Sequence, residues 1–237
     1  LHEIIAETGS ALIEVGTTNR TTVDDYRRAL VPGAVVLKVH RSNFAMQGFT
    51  AEAPLAELAA LCAEAECPLV YDAGSGLLVA PGDLGLPEGE SLLAEDVATG
   101  CTLVTCSGDK LLGGCQAGLI LGDAARIAAL REHPLRRAVR VDKMTLAALD
   151  AVLTAYLDAT ALPALPALVA LALTTTELAA RAESLRRLVA VALPAGWTAA
   201  VVAGVSSVGG GAYSSAELET RLLQFEGPRA ELEACHQ

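Results

Sequence analysis

"TLVTCSGDKLLGGCQAGLILG", Thr102–Gly122, sets two apolar runs on either side of a Ser-Gly-Asp-Lys turn and a pair of glycines. Short runs of Val, Leu and Ile bounded by turn residues read as strands buried on both faces. A surface lysine needs no such setting, which makes Lys110 a candidate for chemistry at the end of a buried strand.

The same punctuation extends outward in both directions. "ALIEVG" (11–16), "AVVLKVH" (34–40) and "PLVYDAG" (68–74) read as further strands. "TTVDDYRRAL" (21–30), "APLAELAALCAEAE" (53–66) and "SLLAEDVATG" (91–100) read as helices between them, with Thr22 and Asp25 resembling a capping box in which Asp replaces Glu. Strands alternating with helices predict an α/β fold, a mostly parallel sheet flanked by helices. After Asp142 the pattern changes to long helices, "DKMTLAALDAVLTAYLDA" (142–159) and "TTELAARAESLRRLVAVAL" (175–193), split by a Pro-rich stretch over 162–166. "GWTAAVVAG" (196–204) and "SSVGGG" (206–211) read as strands and turns of a smaller α+β unit. The boundary is expected near residue 160, giving a partial large domain over 1–160 and a partial small one over 161–237. "LHEIIAETGS" (1–10) reads as helix interior without a start signal, and the end as clipped, so further chain is expected at both ends.

With 52% hydrophobic residues the chain has ample material for a core. The longest apolar run, "ALPALPALVALAL" (161–173), carries two prolines and is shorter than the roughly 20 residues of a membrane-spanning helix; it is read as a buried connection and helix. A net charge of −11 argues against a broad basic surface for nucleic acid. Six cysteines raise the question of a metal or a disulfide frame. Cys101 and Cys106, five apart on one strand, lie on opposite faces roughly 16 Å apart and cannot share one ion. No leader suggests secretion, so reduced thiols in the cytoplasm are expected, acting as small buried hydrophobes.

In an open parallel sheet, ligands gather at the carboxyl ends of the strands. Asp72 ends one strand and Lys110 follows the next. A lysine and a carboxylate so placed form the pair that pyridoxal phosphate requires, the lysine bonding the cofactor and the carboxylate keeping the pyridine nitrogen protonated. Ser107 and the glycines allow close approach to the cofactor phosphate. On spacing alone the plainer reading, Asp72 capping a turn and Lys110 in solvent, is favoured; only the whole string makes the signal specific.

That string is "EVGTTNRT" (14–21), "LKVH" (37–40), "SGDKLLGG" (107–114) followed by "QAG" (116–118), "HPLRRAVRVDKMTLAALDAVL" (133–153) and "SVGGGAYSSAELET" (207–220). Together these motifs resemble the bacterial selenocysteine synthases, the L-seryl-tRNA(Sec) selenium transferases, over nearly the whole chain. The resemblance implies a pyridoxal phosphate enzyme of fold type I, aspartate-aminotransferase-like, assembled as a homodecamer built as a ring of dimers. It implies conversion of seryl-tRNA(Sec) to selenocysteinyl-tRNA(Sec), with selenophosphate as donor and tRNA bound mainly by an N-terminal module upstream of this chain. Lys110 would hold the cofactor and serve as general base at the seryl Cα, Asp72 would hold the pyridinium, and loss of the hydroxyl would leave an aminoacrylyl group to which selenium adds. Asp109 would assist proton traffic and His40 would face the cofactor, although a core histidine is the commoner outcome.

The donor is an anion. Arg131, Arg136, Arg137, Arg140 and Lys143 put five basic residues into thirteen positions of an acidic chain. On a helix Arg136 or Arg137 would share a face with Arg140, and the resemblance favours Arg137 and Arg140 for the donor. "SVGGGA" lacks a P-loop lysine, so its glycines are read as a turn, and Trp197 is read as core. Cys115 replaces an expected proline, Ala73 a leucine and Ala45 an arginine. Two other readings stand beside the first: a related lyase acting on a small amino or sugar acid without tRNA, and an inactive fragment.

Overall fold

Backbone hydrogen bonding sorts the apolar runs into two sheets. The computed structural model describes residues 2–41, 44, 46, 48–209, 211–213 and 216–228. In it β1 (Val36–Val39), β2 (Leu69–Gly74), β3 (Leu103–Ser107) and β4 (Gly118–Gly122) form one sheet in that order. β1, β2 and β3 run parallel, and β4 turns back antiparallel along β3. Parallel neighbours need a crossover long enough for a helix. Two helices precede β1, α1 (His2–Glu7) and α2 (Val23–Ala29); the crossovers carry α3 (Leu55–Glu64) and α4 (Leu93–Ala98).

α2 begins where the sequence predicts: the Thr22 hydroxyl accepts from the Asp25 N–H, and the Asp25 carboxylate accepts from the Thr22 N–H at 2.8 Å. Beyond β4 come α5 (Ala124–Glu132), α6 (Arg136–Val139), α7 (Lys143–Leu157), α8 (Ala161–Ala164), α9 (Pro166–Ala172) and α10 (Thr175–Ala190). The prolines act as breakers: Pro166 occupies the first turn of α9, where its missing N–H costs nothing. An antiparallel pair, β5 (Thr198–Ser207) and β6 (Glu217–Glu226), follows, in register from Thr198↔Glu226 to Ser207↔Glu217.

Two apolar clusters hold this arrangement. One packs Val36, Leu69, Tyr71, Val104 and Cys106 of the sheet against Leu58, Leu61 and Cys62 of α3. The other joins Leu77 and Leu84 to Leu111 and Leu112 beside the lysine, Leu149 and Val152 of α7, Leu168 of α9 and the late residues Ala212 and Tyr213. The 161–173 run, expected as a buried connection, is buried on one side only: Ala161, Leu165 and Leu168 are in the core, whereas Pro163, Ala164, Pro166, Ala167, Val169, Ala170 and Ala172 are exposed.

Three other expectations are corrected. Residues 11–16 form no strand: they have no ladder partner among the described residues, and Leu12 and Ile13 are 46% and 52% exposed. Trp197 belongs to neither apolar cluster; it is half-buried and lies against Gly227. Arg140 does not continue the helix of Arg136 and Arg137, because it is the extended C-cap of α6 with ψ 137°.

Gly76 decides how closely the ends of β2 and β3 approach. Its φ is +72°, and a Cβ there would lie 2.9 Å from the Ser107 carbonyl oxygen. Gly76→Ala is expected to destabilise the chain by about 1–3 kcal/mol, read as a lower urea midpoint. An unchanged midpoint would show that the β2 end can withdraw from Ser107.

Candidate active site

The three parallel strands deliver their carboxyl ends side by side. Val39 is opposite Asp72, and Asp72 is opposite Thr105. The Thr105 hydroxyl donates to Asp72 Oδ1 at 3.0 Å, and the His40 N–H donates to the Asp72 carbonyl at 2.8 Å. Asp72 and His40 therefore sit at one rank of the sheet edge, the carboxylate oriented by its neighbour's hydroxyl.

The turn carrying Lys110 is tied to the same edge. The N–H groups of Leu111 and Leu112 both donate to the Ser75 carbonyl, at 3.0 and 3.3 Å. Gly113 closes back on the Lys110 carbonyl at 3.0 Å and Gly114 on the Gly108 carbonyl at 2.8 Å, while the Tyr156 hydroxyl of α7 holds the Leu112 carbonyl at 2.9 Å. The second glycine pair thus folds the loop onto itself, leaving the lysine side chain at its apex. A cleft of about 770 Å³ opens there, lined by Asp109 and Lys110, by Leu171 and Thr174, and by Ser207 and Ala212.

Gly211 forms the wall against the lysine. It is buried with φ +91°, and a Cβ on it would lie 2.7 Å from Lys110 Nζ. The late glycines do more than turn the chain: one of them presents bare backbone to the lysine amine.

Glu90, which the sequence reading did not single out, lies beneath this edge. Its Oε1 is 3.2 Å from His40 Nε2 and accepts the Tyr213 N–H at 3.0 Å, with the carboxylate 3% exposed. The hydrogen bond to Glu90 is the main cause that lifts the His40 pKa above its ordinary 6.5, against the opposing effect of burial. Burial pushes Glu90 up, but the bonds from His40 and Tyr213 together outweigh it and hold the carboxyl below 4.5. Nearby Lys38 is 8% exposed and pairs with Glu52, which also accepts from Arg41 at 2.6 Å. Those two cations are committed to one carboxylate.

The residues present suit pyridoxal phosphate: an amine at a turn apex, a carboxylate oriented by a hydroxyl at the adjacent strand end, an imidazole one strand further, and a glycine whose missing side chain leaves room at the amine. Metal chemistry has no comparable set, since no group of three or more His, Cys, Asp or Glu side chains among the described residues could hold an ion. The described cysteines are free thiols, and burial pushes Cys106 up to about 11 and Cys62 up to about 12.

The family model for L-seryl-tRNA selenium transferase (SelA) matches residues 1–237. This chain belongs to the L-seryl-tRNA selenium transferase family. It is 47% identical over 223 residues to the L-seryl-tRNA(Sec) selenium transferase of Solidesulfovibrio magneticus, covering 93% of this chain and 47% of that protein. It is 44% identical over 225 residues to the Escherichia coli O45:K1 protein of the same name, covering 94% and 48%. The chain spans about half the length of the curated relatives it matches. Among solved structures it resembles D-glucosaminate-6-phosphate ammonia-lyase, with TM-score 0.59 and 20% identity over 98% of this chain and 52% of that one. It also resembles a Thermus thermophilus aspartate aminotransferase, with TM-score 0.51 and 21% identity over 84% and 51%. These likenesses carry the fold, α/β of the aminotransferase type.

Within the family fold the expected site residues separate into two places. Lys110, Asp72, Ser107 and His40 are at the ends of, or just beyond, β1, β2 and β3; Lys110 and the exposed Asp109 line the cleft, whereas Asp72, Ser107 and His40 do not. Arg137 and Arg140 are exposed and do not line that cleft. Cys115 donates to the Thr145 carbonyl at 3.5 Å, Ala73 is core, and Ala45 lies outside the described residues.

The His40–Glu90 pair sets a stability window. The raised histidine contributes fully below 6.5 and is lost as pH rises through its folded value; the lowered Glu90 contributes above 4.5 and is lost as pH falls through its own. The melting temperature of the wild type relative to His40→Asn is expected to peak between those two values and to decline above. A difference independent of pH would show the pair to be uncharged.

Proposed function

We propose that this chain carries the cofactor-bearing half of an L-seryl-tRNA(Sec) selenium transferase. In this reading 1–160 belong to its large domain and 161–237 to its small one, and the enzyme converts seryl-tRNA(Sec) to selenocysteinyl-tRNA(Sec) in the cytoplasm with selenium from selenophosphate. The supporting observation is Lys110 on the turn that follows β3, with Asp72 near the end of the neighbouring β2, in a chain that matches the family along its whole length.

Pyridoxal phosphate, when bound, supplies an electron sink for charge developing at the substrate Cα. Lys110 anchors it and, as free amine, removes the seryl Cα proton at Nζ. Asp72 keeps a proton on the ring nitrogen, its own orientation fixed by the Thr105 hydroxyl. Ser107 would hold the phosphate and His40 the ring, while Asp109 would exchange protons at the mouth of the cleft. Arg137 and Arg140 grip the anionic donor, because guanidinium groups bind phosphate-like oxygens bidentately. The full enzyme is a homodecamer built as a ring of dimers and takes its tRNA through a module outside this chain.

Incubation with pyridoxal phosphate, borohydride reduction and peptide mapping tests the cofactor site. The label is expected on Lys110, absent in Lys110→Ala. The chain is then joined to the remaining length of the Solidesulfovibrio magneticus relative and supplied with seryl-tRNA(Sec) and selenophosphate. Asp72→Asn is expected to lower its turnover by about 10²-fold or more. Turnover of small amino or sugar acids without tRNA would replace this reading with the lyase one, and labelling elsewhere than Lys110 would overturn the site.

A further inference from the structure

We propose that Glu90 is a positioning residue of the Lys110 site, a buried carboxylate that holds both His40 and the backbone wall facing the lysine. The part of this proposal that concerns the cofactor rests on the reading of Lys110 given above.

A carboxylate 3% exposed is costly unless its oxygens are satisfied. Glu90 lies in the loop between the 3₁₀ turn at Pro81–Leu84 and α4, a segment with no catalytic signature of its own. Its Oε1 receives two donors from distant parts of the chain: His40, just past β1, and the N–H of Tyr213, 123 residues away in sequence. The buried Ser75 hydroxyl also favours its charged form, and the Ser75 carbonyl is the acceptor that fixes the lysine turn. One side chain therefore joins the β1 end to the late segment.

The late segment gives this geometry its consequence. Tyr213 has φ +50°, a strained conformation for a residue with a side chain, and the bond from its N–H to Glu90 helps hold it there. Two residues earlier, Gly211 is pressed against Lys110 Nζ. Releasing Tyr213 from Glu90 would free Gly211 to move off the lysine. At the other end, Oε1 faces His40 Nε2 at 3.2 Å as an ion pair. Glu52 and Asp96 are the other carboxylates whose charge reaches that imidazole. Glu90 touches neither Lys110 nor Asp72 by any described bond, so it acts through the groups it holds.

The test compares wild type, Glu90→Gln and Glu90→Ala in cofactor-free protein by two readouts. The first is the protonation midpoint of His40, followed by NMR and assigned with His40→Asn. The glutamine variant keeps the shape and loses the charge, so its midpoint is expected to fall by about 1 unit or more while its melting temperature stays near wild type. The second is competitive acetylation of Lys110, read by mass spectrometry against Lys143. Glu90→Ala is expected to raise Lys110 labelling about 10-fold, the scale on which losing a supporting partner disturbs a site. An unmoved His40 midpoint in Glu90→Gln, or unchanged Lys110 labelling in a folded Glu90→Ala, would overturn the proposal. Should Glu90→Ala not fold, the glutamine titration decides alone. Failure of wild type to take pyridoxal phosphate on Lys110 would remove the cofactor reading, whereas the titration and the acetylation would still judge Glu90.

Discussion

Two N–H groups converging on the Ser75 carbonyl are the constraint on which the site depends. They belong to Leu111 and Leu112, directly after Lys110, and Ser75 directly follows β2, the strand that bears Asp72. Each bond is worth only about 1 kcal/mol net, but a buried acceptor left unpaired costs more than the bond returns. Leu111 and Leu112 are themselves buried, so the lysine turn cannot leave the β2 end without exposing apolar surface and orphaning the Ser75 oxygen. The spacing between lysine and aspartate is thereby a property of the sheet, not of either side chain.

This explains why a reactive group stands on an irregular turn without being loosely held. A strand interior would direct Lys110 into one of the packed faces, where an ammonium is costly to bury. A free loop would leave it unpositioned. The Gly108–Gly114 turn takes the middle course: it leaves the sheet at Ser107, folds on its own backbone, and is gripped from α7 by Tyr156. The glycines permit contacts between main chains that any Cβ would obstruct, and Gly76 and Gly211 extend that economy to the β2 end and the lysine wall.

What the sequence made legible follows from the range over which each feature is determined. The runs 34–40, 68–74 and 102–107 are rich in apolar residues, and that pattern is local, although each strand buries alternate residues and leaves those between them half-buried or exposed. Residues 11–16 carry the same pattern and form no strand, since a strand is completed by a partner that composition does not supply. Asp72 and Lys110 could be placed because strand ends are marked by turn residues. Glu90 could not, because its surroundings exist only once Tyr213 arrives from the far end of the chain; an "EGE" in a loop looks like solvated charge. Arg140 leaves the expected helix face for a simpler reason: its extended backbone ends α6 at Val139.

The distribution of committed charge completes the electrostatic picture. Lys38 and Arg41 share Glu52, Arg27 and Arg28 face Asp24 and Asp25, and Arg186 and Arg187 share Glu183. By contrast, Arg126, Arg131, Arg136, Arg137, Arg140 and Lys143 form no ion pair with a carboxylate among the described residues, and all six are exposed. Nearby Glu132 and Asp142 offset only part of their charge, and Asp142 is already engaged as the cap of α7. In a chain of net charge −11 these six cations fall within one segment, while Arg20, Lys110, Arg181 and Arg221, which also form no ion pair among the described residues, are scattered elsewhere. The field of that segment attracts anions locally while the remainder of the surface repels them. An acidic protein can present an anion-binding face in this way without the broad basic surface that nucleic-acid binding by charge alone would require.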